Sequence, residues 1–392
     1  MIRKIFVSLA AVLALWVAFA PAVSALAQPL EEVPPEDYAC AAALLMEPES
    51  GQVIFEKNGD LKRPVASVTK IMTVLLALEA IDGGSLELEE RVTVSPNAAS
   101  MGGSQALLDA GEKQSAEALL QSVIVGSAND SAVALAEHMA GSVELFVERM
   151  NRRARELGME DTRFINVTGL PGEGQYTTAH DVAVMARELC RHDLFFRYSG
   201  VWMYDFVHES GRVTRLSNTN KLIRLYDGCD GVKTGSTAAA GYCMAASAKR
   251  GNMRLIAVVL GSDSGRARFD AAARMLDYGF AAYRVYPVAE MGARVRGEAR
   301  VTGGEKDSVP LRLGGDLTLL LKRGEEQKVT LEPEAPPILT APVREGQTVG
   351  HVRVLMEGRE VGRVPIVAAE DVGSLAFPGA LGRTLHKWAM GK

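Results

Sequence analysis

The stretch Pro64–Ala80, "PVASVTKIMTVLLALEA", sets one serine and one lysine three residues apart at the head of an otherwise apolar run. A helix that is apolar on every side belongs in a protein interior. Lys70 is then walled in by Val68, Ile71, Met72, Val74 and Leu75, directly above Ser67, because positions i and i+3 of a helix are neighbours. A serine hydroxyl is a weak nucleophile at neutral pH and needs a base within hydrogen-bond reach. Burial lowers a lysine pKa, and a second cation nearby pushes the same way. The plain alternative makes Ser67 an N-cap and Lys70 a solvated first-turn residue, so the pair needs company elsewhere in the chain.

Company comes twice. In "GSAND", Ser127 and Asn129 occupy a short connection between two helical patterns, where a hydroxyl and an amide can project into a cleft. The competing reading is a capping box of Ser127 with Asp130, and Ser95-Pro96-Asn97 repeats the same spacing in a looser connector. In "DGVKTGS", Lys233, Thr234 and Gly235 run along an expected strand, where the glycine admits another backbone or a ligand. There the alternative is an edge strand guarded by a lysine.

Around these motifs the chain reads as α+β. "YACAAALLMEPESGQVIFEKN" gives two apolar runs about a turn at Glu47–Gly51, a β-hairpin. Residues 67–181 read as mostly helical, with Gly126 and Gly141 at helix ends and Thr178 and Asp181 forming an approximate capping box. After residue 228 come three strands joined by short turns, then a helix, "ARFDAAARMLDYGFAAY". An early hairpin and three late strands bracketing a helical insert imply one antiparallel sheet flanked by helices. From 287 to 372, short alternating segments punctuated by Gly and Pro read as a small all-β domain, which sets a boundary near Tyr286.

At 392 residues, two domains are expected. Residues 1–27 have a basic start, an apolar stretch and Ala25-Leu26-Ala27, the form of a cleaved signal peptide, with a membrane anchor as the alternative. Residues 28–37, rich in Pro and Glu, read as a disordered lead-in before a first domain over 38–286. The formal net charge of −5 argues against a nucleic-acid partner. Cys40, Cys190, Cys229 and Cys243 are widely and irregularly spaced and read as buried thiols rather than a zinc site or redox pair. With no H-E-x-x-H, no metal is expected. In the tail, 373–392, Phe377, Leu381, Leu385 and Trp388 gather on one helical face opposite Arg383, His386 and Lys387. That pattern reads as a helix lying on a membrane surface, or else as one docked on the β-domain.

Ser67-Val-Thr-Lys70, Ser127-Ala-Asn129 and Lys233-Thr-Gly235 together resemble the three motifs of penicillin-binding proteins and serine β-lactamases. With "RPVASVTKIMT", "FINVTGLPGEGQYTTAHDVA" and "GVKTGSTAAAGYCMAASA", residues 38–285 resemble the low-molecular-mass D-alanyl-D-alanine carboxypeptidases. The resemblance implies a β-lactamase/transpeptidase-like catalytic domain, and the β-rich tail domain and final helix match that family's plan. It further implies that Ser67 attacks the carbonyl between two D-alanines of a peptidoglycan stem peptide, with Lys70 as base and Ser127 relaying a proton to the leaving amine. Asn129 would hold the substrate amide, and Lys233, Thr234 and Arg268 the terminal carboxylate. The oxyanion hole would come from the backbone N–H groups of Ser67 and Ser236. No cofactor is implied; β-lactams would be covalent inhibitors, and the enzyme would work on the outer face of the bacterial cytoplasmic membrane.

Two alternatives share the fold. A serine β-lactamase would want a glutamate-activated water, and Glu160 stands between the second and third motifs without the E-x-x-L-N pattern. A non-catalytic wall-binding protein would not need Ser67, Lys70 and Lys233 intact. One departure from the family pattern is Ala128, where glycine is common in the middle of the second motif; its methyl group is expected to narrow the loop slightly.

Overall fold

The computed structural model describes residues 38–376, and Gly379 and Ala389 beyond them. The leader, the lead-in and most of the expected tail helix lie outside the described residues.

Five strands form the central antiparallel sheet, in the order Val53–Lys57, Ala42–Met46, Met253–Ser262, Gly241–Arg250, Cys229–Thr237. The early hairpin docks on the last of the late strands, with Ala42 opposite Leu260 and Met46 opposite Ile256. Ala42–Met46 is apolar throughout because both its faces are covered. Ala42, Leu44 and Met46 join the helical core, whereas Ala43 and Leu45 pack beneath the helix Gly265–Ala282. The expected sheet, and the helix that covers it, are both present.

The other face carries Lys70–Asp82, Ala116–Gly126, Asn129–Ala140, Val143–Glu156 and Ala179–Leu189. The first of these is central, with Ile71, Met72, Leu75 and Leu78 at most 1 % exposed. The span 67–181 is less helical than the sequence suggests. Arg91–Thr93 pairs with Lys113–Ser115, and between residues 157 and 178 the chain is held by bridges such as Arg163 to Tyr176 and Arg63 to Thr177. Thr178 caps the helix Ala179–Leu189 by accepting from the Asp181 N–H at 3.0 Å. The Asp181 carboxylate, however, turns to the Asp161 N–H and the Thr162 hydroxyl, so the capping box is only half made.

The second part is all-β. Its six-stranded sheet runs Val329–Glu334, Thr348–Met356, Arg359–Ala368, Ser308–Leu313, Arg294–Thr302, Ile338–Thr340, around Val301, Val309, Val354 and Ile366. The boundary expected near Tyr286 cuts a strand. Tyr283–Ala289 follows the cover helix without a break and pairs antiparallel with Leu317–Lys322. Tyr283 and Leu320 are buried in the cluster beneath that helix, so the two parts share a seam of core, and a purely local reading extends the helix one residue too far. The tail also departs from expectation at its first positions. Ser374 forms a β-bridge with Gly304, and the Leu375 N–H donates to the Gly303 carbonyl at 2.8 Å, so no helix starts at 373.

Candidate active site

Ser67 lies in a 3₁₀ turn, Ala66–Thr69, that runs into the helix Lys70–Asp82. In a 3₁₀ turn residues i and i+3 eclipse, which aligns Ser67 and Lys70 more closely than an α-helix does. The Lys70 Nζ donates to the Ser67 Oγ at 2.9 Å and to the Thr168 carbonyl at 2.8 Å. Lys70 is fully buried while Ser67 stays half-exposed. Burial, reinforced by the nearby Lys233 ammonium and opposed by Asp130, holds the Lys70 pKa well below its ordinary 10.5. The N-cap reading fails, since no side chain caps this helix start.

Ser127 and Ala128 alone join the helices Ala116–Gly126 and Asn129–Ala140, a tighter link than the sequence suggests. The left-handed C-cap falls on Ser127, at φ 63°, rather than on a glycine. Among the described residues its hydroxyl is buried without a partner, and so is the Asn129 Oδ1. The Asn129 Nδ2 donates to the Gly102 carbonyl at 2.6 Å. Asp130 does not turn back to Ser127. Its carboxylate accepts from the N–H groups of Ala106 and Leu108 at 3.0 and 3.1 Å and so fixes the segment across the cleft. The competing triplet is structural, because Ser95 and Asn97 both bond Glu137. Ala128 is fully buried in the core, so its methyl group does not face the cleft and the expected narrowing is not seen.

Cys229–Thr237 is the edge strand, but Lys233 does not guard it from solvent: Lys233 and Thr234 are 3 % and 4 % exposed. Burial and the neighbouring Arg268 push the Lys233 pKa down to about 7. Thr234 bonds Thr219 hydroxyl to hydroxyl at 2.8 Å. A Cβ on Gly235 would lie 2.6 Å from the Val65 carbonyl oxygen and 2.7 Å from the Ser67 nitrogen. It is therefore another backbone that this glycine admits, and the contact sets Ser236, whose side chain is exposed, beside the serine turn. Arg268 donates to the carbonyls of Gly235 and Cys243 at 3.0 and 3.2 Å, with its guanidinium over the Phe269 ring.

The fourth wall was legible only as part of the resemblance. The Asn166 Oδ1 accepts from the N–H groups of Thr168 and Gly169 at 3.1 and 2.7 Å, and its Nδ2 donates to the Leu170 carbonyl. This turn aims the Thr168 carbonyl at Lys70. Gly169, at φ +80°, presses on Ala66, itself left-handed at φ 49°; a Cβ there would lie 1.8 Å from the Ala66 oxygen. The Asn-x-x-Gly spacing is turn chemistry that could have flagged it. Away from this site, Asp109, Glu112 and His208 bring potential metal-ligand atoms within 4.8 Å of one another. Arg212 donates to Asp109 and lies 3.2 Å from the His208 Nδ1, and His208 also bonds Glu112 and Thr214, so the group fits a polar clamp better than a cation site.

The profile of the family described as "D-alanyl-D-alanine carboxypeptidase" matches residues 28–264, and that of "Penicillin-binding protein 5, C-terminal domain" matches 283–374. The chain is 38 % identical over 349 residues to the D-alanyl-D-alanine carboxypeptidase DacF of Bacillus subtilis (strain 168), covering 88 % of this chain and 89 % of that one. It is 35 % identical over 387 residues to the carboxypeptidase DacC of Escherichia coli (strain K12), covering 94 % of each. Penicillin-binding protein 5 from Haemophilus influenzae superposes with a TM-score of 0.73 at 31 % identity, covering 87 % of this chain and all of that one. The chain belongs to the D-alanyl-D-alanine carboxypeptidase family and is a serine-type hydrolase of the penicillin-binding kind.

Two outcomes follow from this geometry. Gly169→Ala should cost about 3 kcal/mol or more, since it meets backbone rather than a movable side chain. Gly158→Ala, also at positive φ but in open space, should cost about 1 kcal/mol; thermal unfolding of the two variants compares them. Lys233 binds a proton more weakly folded than unfolded, so its burial penalises stability most below pH 7 and least near pH 10. Lys233→Met should therefore be stabilised relative to the native protein at pH 6, with the advantage fading as pH rises towards 10.

Proposed function

We propose that Ser67 is the acyl acceptor and that the chain removes the terminal D-alanine from peptidoglycan stem peptides through a covalent ester. The observation that carries this reading is the fully buried Lys70 amine 2.9 Å from the Ser67 hydroxyl, its pKa held low. A neutral Lys70 takes the Ser67 proton as the Oγ–C bond forms. The negative charge moves to the carbonyl oxygen, facing the N–H groups of Ser67 and Ser236. Collapse breaks the C–N bond. The proton passes through Ser127, whose hydroxyl has no other partner among the described residues, to the departing amine. Water then hydrolyses the ester by the reverse relay.

The remaining groups place the substrate. With its Nδ2 bound to Gly102, Asn129 offers its unpartnered Oδ1 to the substrate amide N–H. The terminal carboxylate sits by Lys233 and the Thr234 hydroxyl. Arg268, occupied with strand carbonyls, contributes its charge from beneath Gly235. A β-lactam presents the same carbonyl and carboxylate and acylates the same serine. Its ester is long-lived, because the wall opposite Lys70 presents the Thr168 carbonyl rather than a carboxylate, and Glu160 is exposed.

In this reading the enzyme is exported by residues 1–27 and held to the outer membrane–water surface of the cytoplasmic membrane by the basic, Trp-bearing tail. No helix among the described residues is long and apolar enough to cross a membrane.

Incubating residues 28–392 with a stem pentapeptide should release D-alanine, read by mass, and a fluorescent penicillin should label the native protein but not Ser67→Ala. Penicillin labelling without D-alanine release would sink the carboxypeptidase assignment. Lys70→Arg keeps a cation but no usable base and should lose at least ~10³ in kcat/KM. The pH profile of kcat/KM should be bell-shaped, falling on the acid side as Lys70 takes a proton and on the alkaline side as Lys233 loses one. Lys233→Arg, which does not titrate in that range, should lose the alkaline limb.

A further inference from the structure

We propose that a second pocket, continuous with the catalytic cleft, recognises a side-chain carboxylate on the residue that precedes the two D-alanines. This rests on the reading of Ser67 as nucleophile and of Lys233–Thr234 as the seat of the terminal carboxylate. The edge strand runs from Cys229 to Thr237, with Lys233 and Thr234 before the point where Gly235 meets Ser67, and Ser236 and Thr237 after it. A substrate whose leaving group lies towards 233 sends its acyl portion towards 237. There a pocket of about 470 Å³ opens, lined by Arg63, Ser236, Thr237, Tyr242, Ser262 and Asp263.

Its walls carry unmet polar demand. Arg63 stands four residues before Ser67, and two backbone hydrogen bonds to Thr177, at 2.8 and 3.0 Å, fix its main chain. Its guanidinium lies against Gly261, where a Cβ would be 2.8 Å from one of its nitrogens. Arg63 has no ion pair and no side-chain hydrogen bond among the described residues, and its Nε is buried without a partner. Ser262, 1 % exposed, also has a buried hydroxyl with no partner among the described residues. Unpaired buried polar atoms are costly, and two in one pocket wall mark groups that a ligand completes. A guanidinium with free edges suits a carboxylate. Asp263, exposed at the rim and without a partner among the described residues, adds a negative group. A side chain ending in a carboxylate and an ammonium on one carbon satisfies both, whereas one ending in an ammonium alone leaves Arg63 unmet.

The test compares kcat/KM for D-alanine release from two peptides ending X-D-Ala-D-Ala, with X either meso-diaminopimelate or lysine. These differ by one carboxylate at equal chain length. The native protein should favour the diaminopimelate peptide by about tenfold. Arg63→Gln should bring the ratio near one, and Arg63→Lys should keep part of it. Equal rates for the native protein would overturn the pocket and leave the carboxypeptidase reading intact. A variant slowed on both peptides with its ratio unchanged would show that Arg63 acts on the fold alone, and would overturn it too. Release from neither peptide would remove the parent reading, and the pocket with it.

Discussion

The interior of this protein holds a lysine amine that water cannot reach, and much of the catalytic domain is arranged around it. Among the described residues Lys70 has two hydrogen-bond acceptors, the Ser67 hydroxyl and the Thr168 carbonyl. Two neutral acceptors do not repay the hydration that a charged amine gives up, so the balance shifts towards the neutral form. Lys233 and, beyond it, Arg268 extend the same field and make a second proton still less welcome. The proposed chemistry thus depends on a deficit that the fold maintains: an amine kept short of solvation beside the Ser67 hydroxyl.

Keeping that deficit takes three separate parts of the chain. The serine turn is pinned from one side by the edge strand, through the close backbone approach at Gly235, and from the other by Gly169 against Ala66. Ala66 and Ser127 are both non-glycine residues in left-handed backbone, one just before Ser67 and the other two residues before Asn129. Strain of this kind survives only where surrounding packing over-determines it, and both residues are buried. The hydroxyl of Ser127 and the side-chain carbonyl of Asn129, without partners among the described residues, are left free for the substrate in the proposed reading.

Burial also explains which alternatives fell. A lysine guarding an edge strand should be wet, yet Lys233 is dry because Gly235 draws the strand onto the serine turn. A capping box at Ser127 required Asp130 to turn back, but that carboxylate satisfies two N–H groups of the segment 106–108 instead. Each outcome was decided by a partner distant in sequence.

The sequence by itself determined the sheet, the helical insert, the second β-part and the three motifs, because those are written in periodicity, turn residues and short spacings that act over a few positions. It misplaced the join at Tyr283, where helix and strand share an apolar pattern and only the pairing with Leu317–Lys322 distinguishes them. It gave Asn166 and Thr168 no part and Asp130 only a local one, since the Thr168 carbonyl meets Lys70 and the Asp130 carboxylate meets Ala106 and Leu108, all partners many residues away. Whether Lys70 is buried or solvated was left to the tertiary structure, because desolvation is a property of everything packed around a residue and not of its neighbours in the chain.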